Sequence, residues 1–169
     1  ILILFAALVN SYSDNWPAWR GPTGNGISDH VNFPSNFSNT ENVNWKLPLP
    51  GVGSSTPAIW GDRIIVTSAI DSKDGVTCFS KSGKKLWTQK FGSERGGKHK
   101  NGSGSNPSPV TDGKHAYLYY KSGTLAALDL DGKKVWEKNL QEEFGADTLW
   151  WDLGTSPVLT DEFVIIAVM

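Results

Sequence analysis

The chain has 169 residues, a formal net charge of −1, 38% hydrophobic residues and eight tryptophans. That is enough for one globular domain of ordinary size, and the near-neutral balance argues against a nucleic-acid surface, which calls for a basic excess. The single cysteine, Cys78, excludes an internal disulfide and, lying inside an apolar run, reads as a small buried hydrophobe rather than a reactive thiol.

Residues 1–9, ILILFAALV, are an unbroken apolar run. The run is shorter than the ~20 residues that a membrane-spanning helix needs. It fits the apolar core of a signal peptide whose charged start is missing, with Ser11-Tyr12-Ser13 offering the small residues of a cleavage site. Residues 1–13 are therefore expected to be a signal-peptide remnant. That implies an extracytoplasmic location, periplasmic or secreted, and no stable membrane span once the signal is removed. A buried strand or an uncleaved anchor is the competing reading.

Residues 14–50 are dense in Trp, Asn, Ser, Pro and Gly and show little periodicity apart from 43–47. This is expected to be an extended segment lying over the rest of the fold, pinned by the buried rings of Trp16 and Trp19. Arg20 reads as paired with a carboxylate or carbonyls, or as a ligand contact. Trp45, between Asn44 and Lys46, reads as the outer, ring-closing strand of a unit whose other strands are absent.

From residue 51 the chain repeats. Ser55-Thr56-Pro57-Ala58-Ile59, Pro107-Ser108-Pro109-Val110 and Thr155-Ser156-Pro157-Val158-Leu159 are variants of one segment, and the prolines are 52 and 48 residues apart. Each segment is followed by a turn (Gly61-Asp62, Asp112-Gly113, Asp161-Glu162) and then by a β-branched or aromatic run. Two further runs, VTCFSKSGKKLW ending at Trp87 and GTLAALDLDGKKVW ending at Trp136, are 49 residues apart. In them Ser82-Gly83 and Asp131-Gly132 read as two-residue type I′ hairpin turns.

One unit thus holds four short antiparallel strands, and a period of roughly 40–50 residues with four strands marks a β-propeller blade. Leu125 to Leu128 is apolar throughout, as expected of a strand buried on both faces. The only helical turn expected is at 141–144. The fold class is therefore all-β: an incomplete β-propeller of four-stranded antiparallel blades, with two blades (Pro57–Trp87 and Pro109–Trp136) plus parts of two others. Closed propellers use roughly 4–8 blades, so residues 51–169 read as a partial propeller domain in a fragment. The structural repeat positions are Trp45, Pro57, Trp87, Pro109, Trp136 and Pro157.

The Ala127-Leu128-Asp129 strand, the Gly-containing turn, the lysines and the tryptophan resemble the repeat of the pyrroloquinoline-quinone (PQQ)-like β-propellers. That superfamily includes the quinoprotein alcohol dehydrogenases and the propeller subunit of the outer-membrane protein assembly machinery. Trp16-Pro17-Ala18-Trp19-Arg20-Gly21-Pro22 resembles the lead-in of bacterial secreted members. The resemblance covers residues 16–169; it specifies the fold well and the function poorly. The assembly subunit is a lipoprotein, and no cysteine follows the apolar run here.

Candidate binding residues lie in the two long connections. Trp87 to Pro109 spans 22 residues and Trp136 to Pro157 spans 21, against 12 from Trp45 to Pro57. Equivalent propeller loops emerge on one face, and long loops on a rigid scaffold are where binding usually sits. The first loop carries Lys90, Arg95, Lys98, His99 and Lys100 against Glu94, with Asn106 at its end; its Gly and Ser content predicts mobility. The second carries Glu142, Glu143, Asp147 and Asp152 with Trp150-Trp151. Its adjacent tryptophans suggest one ring inward and one outward for stacking, or both wedged between blades. The charges suggest either mutual pairing of the loops or ligand binding. The ligand-binding candidates are Arg95, His99, Lys100, Asn106, Asp147, Trp150, Trp151 and Asp152.

No phosphate-binding loop, metal-ligand spacing or nucleophile elbow is present, and His30, His99 and His115 are scattered. Three functions compete. The first is an exported non-catalytic propeller that binds a protein or glycan surface through its loop face, with no cofactor. The second, implied by the resemblance, is a PQQ- and Ca²⁺-dependent dehydrogenase, with Trp150 or Trp151, Asp152 and Asn106 as drafted contacts. Its expected vicinal cysteines are absent. The third is a structural repeat region of a larger multidomain protein.

Overall fold

The computed structural model describes residues 15–31 and 33–168. The expected signal-peptide remnant at 1–13 lies outside the described residues.

Two four-stranded antiparallel sheets follow one another along the chain. The first holds β1 (Ala58–Trp60), β2 (Arg63–Ile70), β3 (Lys73–Ser80) and β4 (Lys85–Ser93). The second holds β5 (Val110–Thr111), β6 (His115–Tyr119), β7 (Thr124–Asp129) and β8 (Lys134–Asn139). A single helical turn, α1 (Leu140–Phe144), follows β8, and β9 (Val158–Leu159) then pairs with β10 (Val164–Ile165). Both complete sheets are simple meanders in chain order, as the repeat predicts, and β9–β10 begin the third blade.

The turns form where expected, but by other chemistry. At 80–84 the Gly83 amide donates to the Ser80 carbonyl, and the Ser80 amide donates to Lys84. At 129–133 the Gly132 amide donates to Asp129, and the Asp129 amide donates to Lys133. Only the glycines adopt positive φ, 83° and 87°. A type I′ turn needs positive φ at both central residues, so these are longer loops closed by a left-handed glycine with a bulge. Asp71 and Ser72, with φ of 51° and 59°, make the primed turn between β2 and β3, without glycine.

The sheets stack face to face. Ile65, Val76 and Cys78 of the first sheet meet Ala116, Leu118, Ala126 and Leu128 of the second in one core. Tyr119 and Leu125 point the other way, into a second core with Leu140 and Leu153. Because side chains alternate along a strand, β7 feeds both cores and is apolar throughout. The Cys78 thiol is fully buried, and burial pushes it up to about 11. The innermost strands of successive sheets are neighbours, β1 beside β5 and β5 beside β9, which is the radial order of propeller blades.

The same devices recur at each seam. The Thr56 amide donates to the Ser108 hydroxyl, and the Ser108 amide donates to the Ser156 hydroxyl, each at 2.9 Å. These are the residues before Pro57, Pro109 and Pro157, so one contact is handed from blade to blade. At the opposite end, Trp87 Nε1 donates to the Leu130 carbonyl at 3.0 Å and Trp45 Nε1 donates to Lys81 at 2.7 Å. Residues 43–47 carry no strand pairing among the described residues; Trp45 reproduces only the tryptophan contact of an outer strand.

The N-terminal segment is held by its backbone. Trp16 and Ile59 exchange both amide–carbonyl bonds, at 2.9 and 2.8 Å, and the Thr111 amide donates to the Pro17 carbonyl. The segment thereby joins the inner edges of both sheets. Trp16 is half-buried, but Trp19 is 58% exposed, so it does not bury its ring as expected. Arg20 stacks on that ring, 4.9 Å from its centroid, and is a cation–π partner.

Candidate functional site

In a four-stranded antiparallel meander, the turn between the second and third strands and the exit from the fourth lie at one end. The 71–72 and 121–123 turns therefore share a face with the connections 94–109 and 140–157. Two polar junctions tie these segments into one surface.

The first junction is built around Asp152. Its Oδ1 accepts from the Lys98 amide at 2.7 Å and from Lys121 Nζ at 2.6 Å, and its Oδ2 accepts from the His99 amide at 2.9 Å. Lys121 Nζ also donates to the Gly96 carbonyl at 3.0 Å. Lys98 Nζ donates to the Leu149 carbonyl at 2.6 Å. The ammonium of Lys121, together with the two amides, holds the Asp152 carboxyl well below the usual carboxylate range. The Lys121 side chain is 1% exposed, so this ion pair, with the Gly96 carbonyl, compensates a charge withdrawn from water.

The second junction is built around Arg95. Its guanidinium donates to Gln141 Oε1 at 3.3 Å, and to the Asp147 carboxylate and carbonyl at 3.4 Å each. Asp147 Oδ1 in turn accepts from the Leu149 amide at 2.7 Å. Gln141 is positioned by α1, whose start is capped by the Asn139 side chain accepting from the Gln141 and Glu142 amides.

The glycines of the first loop make these contacts possible. A Cβ at Gly102 would stand 2.3 Å from Asp152 Oδ2, and one at Gly104 would stand 2.6 Å from the Arg95 carbonyl. The Gly104 amide also donates to Glu94 at 3.1 Å. The glycines, from which mobility is expected, let backbone and carboxylate approach closely here.

A comparison with protein families matches residues 38–168 to the family described as "Outer membrane protein assembly factor BamB". The chain belongs to that family. Among solved structures it is similar to quinohemoprotein alcohol dehydrogenase from Comamonas testosteroni (22% identity, TM-score 0.47), with 69% of this chain covered and 17% of that one. It is also similar to BamB from Moraxella catarrhalis (17% identity, TM-score 0.38), with 62% of this chain covered and 25% of that one. The chain thus spans a quarter or less of either protein. No curated protein matches the sequence.

Within this BamB-family blade pair, the candidate residues separate into two groups. Arg95 is drawn to Asp147, and Asp152 to the His99 backbone, each within its own junction. Asn106 lies at the seam, where its Oδ1 accepts from Ser54 Oγ, Ser103 N and Ser103 Oγ at 2.8 to 3.2 Å. Lys100, Trp150 and Trp151 are left facing solvent.

Neither expectation for the tryptophan pair holds. Trp150 and Trp151 are 75% and 66% exposed and meet edge to face, with centroids 4.9 Å apart at 85°. Leu149 and Leu153 take the inward positions in the second core, so the two residues after Leu149 are carried outward. Sequence reasoning missed Lys121. A lysine beside Ser122-Gly123 in a turn reads as solvated, and its partner lies 31 residues away. Among the described residues, no group of three or more His, Cys, Asp or Glu is placed to hold a metal ion.

Proposed function

We propose that this chain is part of an exported, non-catalytic β-propeller that binds or scaffolds a protein or glycan surface through the face carrying the 94–109 and 140–157 connections. The observation that carries this reading is the mutual satisfaction of the two loops. Arg95 is spent on Asp147, and Asp152 on Lys121 and two amides. What remains for a partner is a projecting aromatic pair on a rigid base, which suits recognition better than proton transfer.

The residues drafted for PQQ and Ca²⁺ do not fit that group. A Ca²⁺ site requires several converging oxygens with net negative charge, whereas Asp152 sits against a buried ammonium. Asn106 Oδ1 already accepts three hydrogen bonds. The apolar run at residues 1–9 supports the exported part of this reading.

The test is calorimetric titration of PQQ, with Ca²⁺ in excess, into the intact protein. The reading predicts no saturable heat. Stoichiometric binding that disappears in Trp150→Ala or Asp152→Ala would replace it with a dehydrogenase.

A further inference from the structure

We propose that Trp150, Trp151, Lys98 and Lys100 form a subsite for an anionic polysaccharide, a polymer of sugars bearing carboxylates. The inference rests on the loop face being the binding face, and it names the ligand class.

Two large indoles are held in water at 75% and 66% exposure by a segment that cannot easily withdraw them. On one side the Leu149 carbonyl is tied to Lys98 Nζ; on the other Asp152 accepts from two amides and a buried ammonium. Preorganised aromatic surface binds with little ordering cost. An edge-to-face pair covers only one face of one ring, leaving flat apolar area for the C–H face of a sugar.

The charge around the pair selects among ligands. Asp152 is neutralised by Lys121. The Lys98 ammonium rests on an uncharged carbonyl, one peptide unit from Trp150, and Lys100 lies exposed in the same loop. The loop tied to Leu149 thus presents two ammonium groups, which complement a carboxylate-bearing ligand. A folded protein partner would look for a contiguous apolar core at its interface. Here the exposed side chains at 98–101 of the neighbouring loop, Lys98, His99, Lys100 and Asn101, are polar, and the exposed Phe144 stands six residues before Trp150 in the chain. Alternating apolar ring faces and carboxylates, as in a uronic-acid polymer, fit both features together.

The experiment is affinity gel electrophoresis of the intact protein in gels containing polygalacturonate, a neutral cellulose derivative or poly-glutamate. Retardation should be strongest in polygalacturonate and should fall when ionic strength is raised, because exposed charges are screened. Trp150→Ala and Trp151→Ala should each weaken it by roughly tenfold, the loss of a central aromatic anchor, and Lys100→Gln should weaken it less. Both rings are largely exposed, so unchanged melting temperatures will show that the variants fold. Equal retardation by poly-glutamate would make the site a binder of acidic peptides and overturn the proposal. So would equal retardation by the neutral polymer, insensitivity to both tryptophan changes, or no retardation at all. If the protein binds neither PQQ nor polygalacturonate, this inference alone fails; if it binds PQQ stoichiometrically with Ca²⁺, the reading beneath it fails.

Discussion

The indole of Trp87 lies on Gly132 of the next sheet so closely that a Cβ there would stand 2.5 Å from the ring. Trp45 meets Gly83 in the same way, at 2.8 Å. In each case the indole N–H reaches the carbonyl two residues before the glycine, Leu130 or Lys81. The glycine is thus required twice, by its positive φ of 87° or 83° and by the ring above it. Trp87→Ala is expected to destabilise the protein by about 3 kcal/mol, the cost of removing a packed aromatic. Trp87→Phe keeps much of the ring and should cost about 1 kcal/mol for the lost hydrogen bond. Gly132→Ala should be worse than Trp87→Phe, because it adds backbone strain to a clash. Urea melts of the three variants give the order.

Ser108 stands at the middle of the pre-proline series, accepting from Thr56 and donating to Ser156. Ser108→Ala removes the acceptor and leaves the Thr56 amide unsatisfied in a half-buried seam. The expected cost is about 1–2 kcal/mol. Ser108→Thr, which keeps the hydroxyl, should recover most of it in the same denaturation assay.

The Lys121–Asp152 pair predicts an asymmetric mutant cycle. Asp152→Asn leaves an ammonium buried without its counter-charge and should cost about 3 kcal/mol or more. Lys121→Met strands a carboxylate that keeps two amide donors and some contact with solvent, so it should cost less. The depressed carboxyl of Asp152 contributes stability that is present above the ordinary carboxylate range and lost only as the pH falls through its lowered folded value. The wild-type clamp should therefore survive mild acid, and denaturant midpoints of both variants across that range measure it.

Asp74 predicts the opposite pH dependence. Its carboxyl is fully buried; Oδ2 accepts from Ser122 Oγ, and Oδ1 has no hydrogen-bond partner. Burial raises it from 3.8 to about 6, against the lowering effect of Ser122 and Thr124 and with a further push from Glu94 and Glu137. A raised folded value means that its contribution is fully present below the unfolded value and is lost as pH rises through about 6. Near neutrality the charged form costs roughly 2–3 kcal/mol. Asp74→Asn should be more stable than the wild type above pH 7 and close to it near pH 4, with urea midpoints across that interval as the readout.

The blades were legible in the sequence because their causes are local and repeated. Turn glycines, pre-proline hydroxyls and the lysine–tryptophan ending each solve one problem of strand reversal or seam packing, and they recur at the spacing of the solution. The turn geometry was misread because Asp-Gly and Ser-Gly serve both primed turns and bulged loops, and the choice lies in the φ of Asp131 and Ser82. The site was legible only as a pair of complementary loops. Which charges cancel depends on Lys121, whose burial is decided by a carboxylate from the next blade's approach. The outward turn of Trp150 and Trp151 depends on Leu149 and Leu153 winning the core positions.

The central claim is that the two long connections form one closed, self-satisfied platform rather than an open cradle for a cofactor. Amide hydrogen exchange at Lys98 and His99 tests it most directly, because both amides donate to Asp152. The account predicts that the two amides are protected in the intact protein, that protection falls in Lys121→Met, and that it disappears in Asp152→Ala. Exchange at the rate of an unstructured loop in the wild-type protein would contradict it, because Asp152 would then be free to meet a ligand.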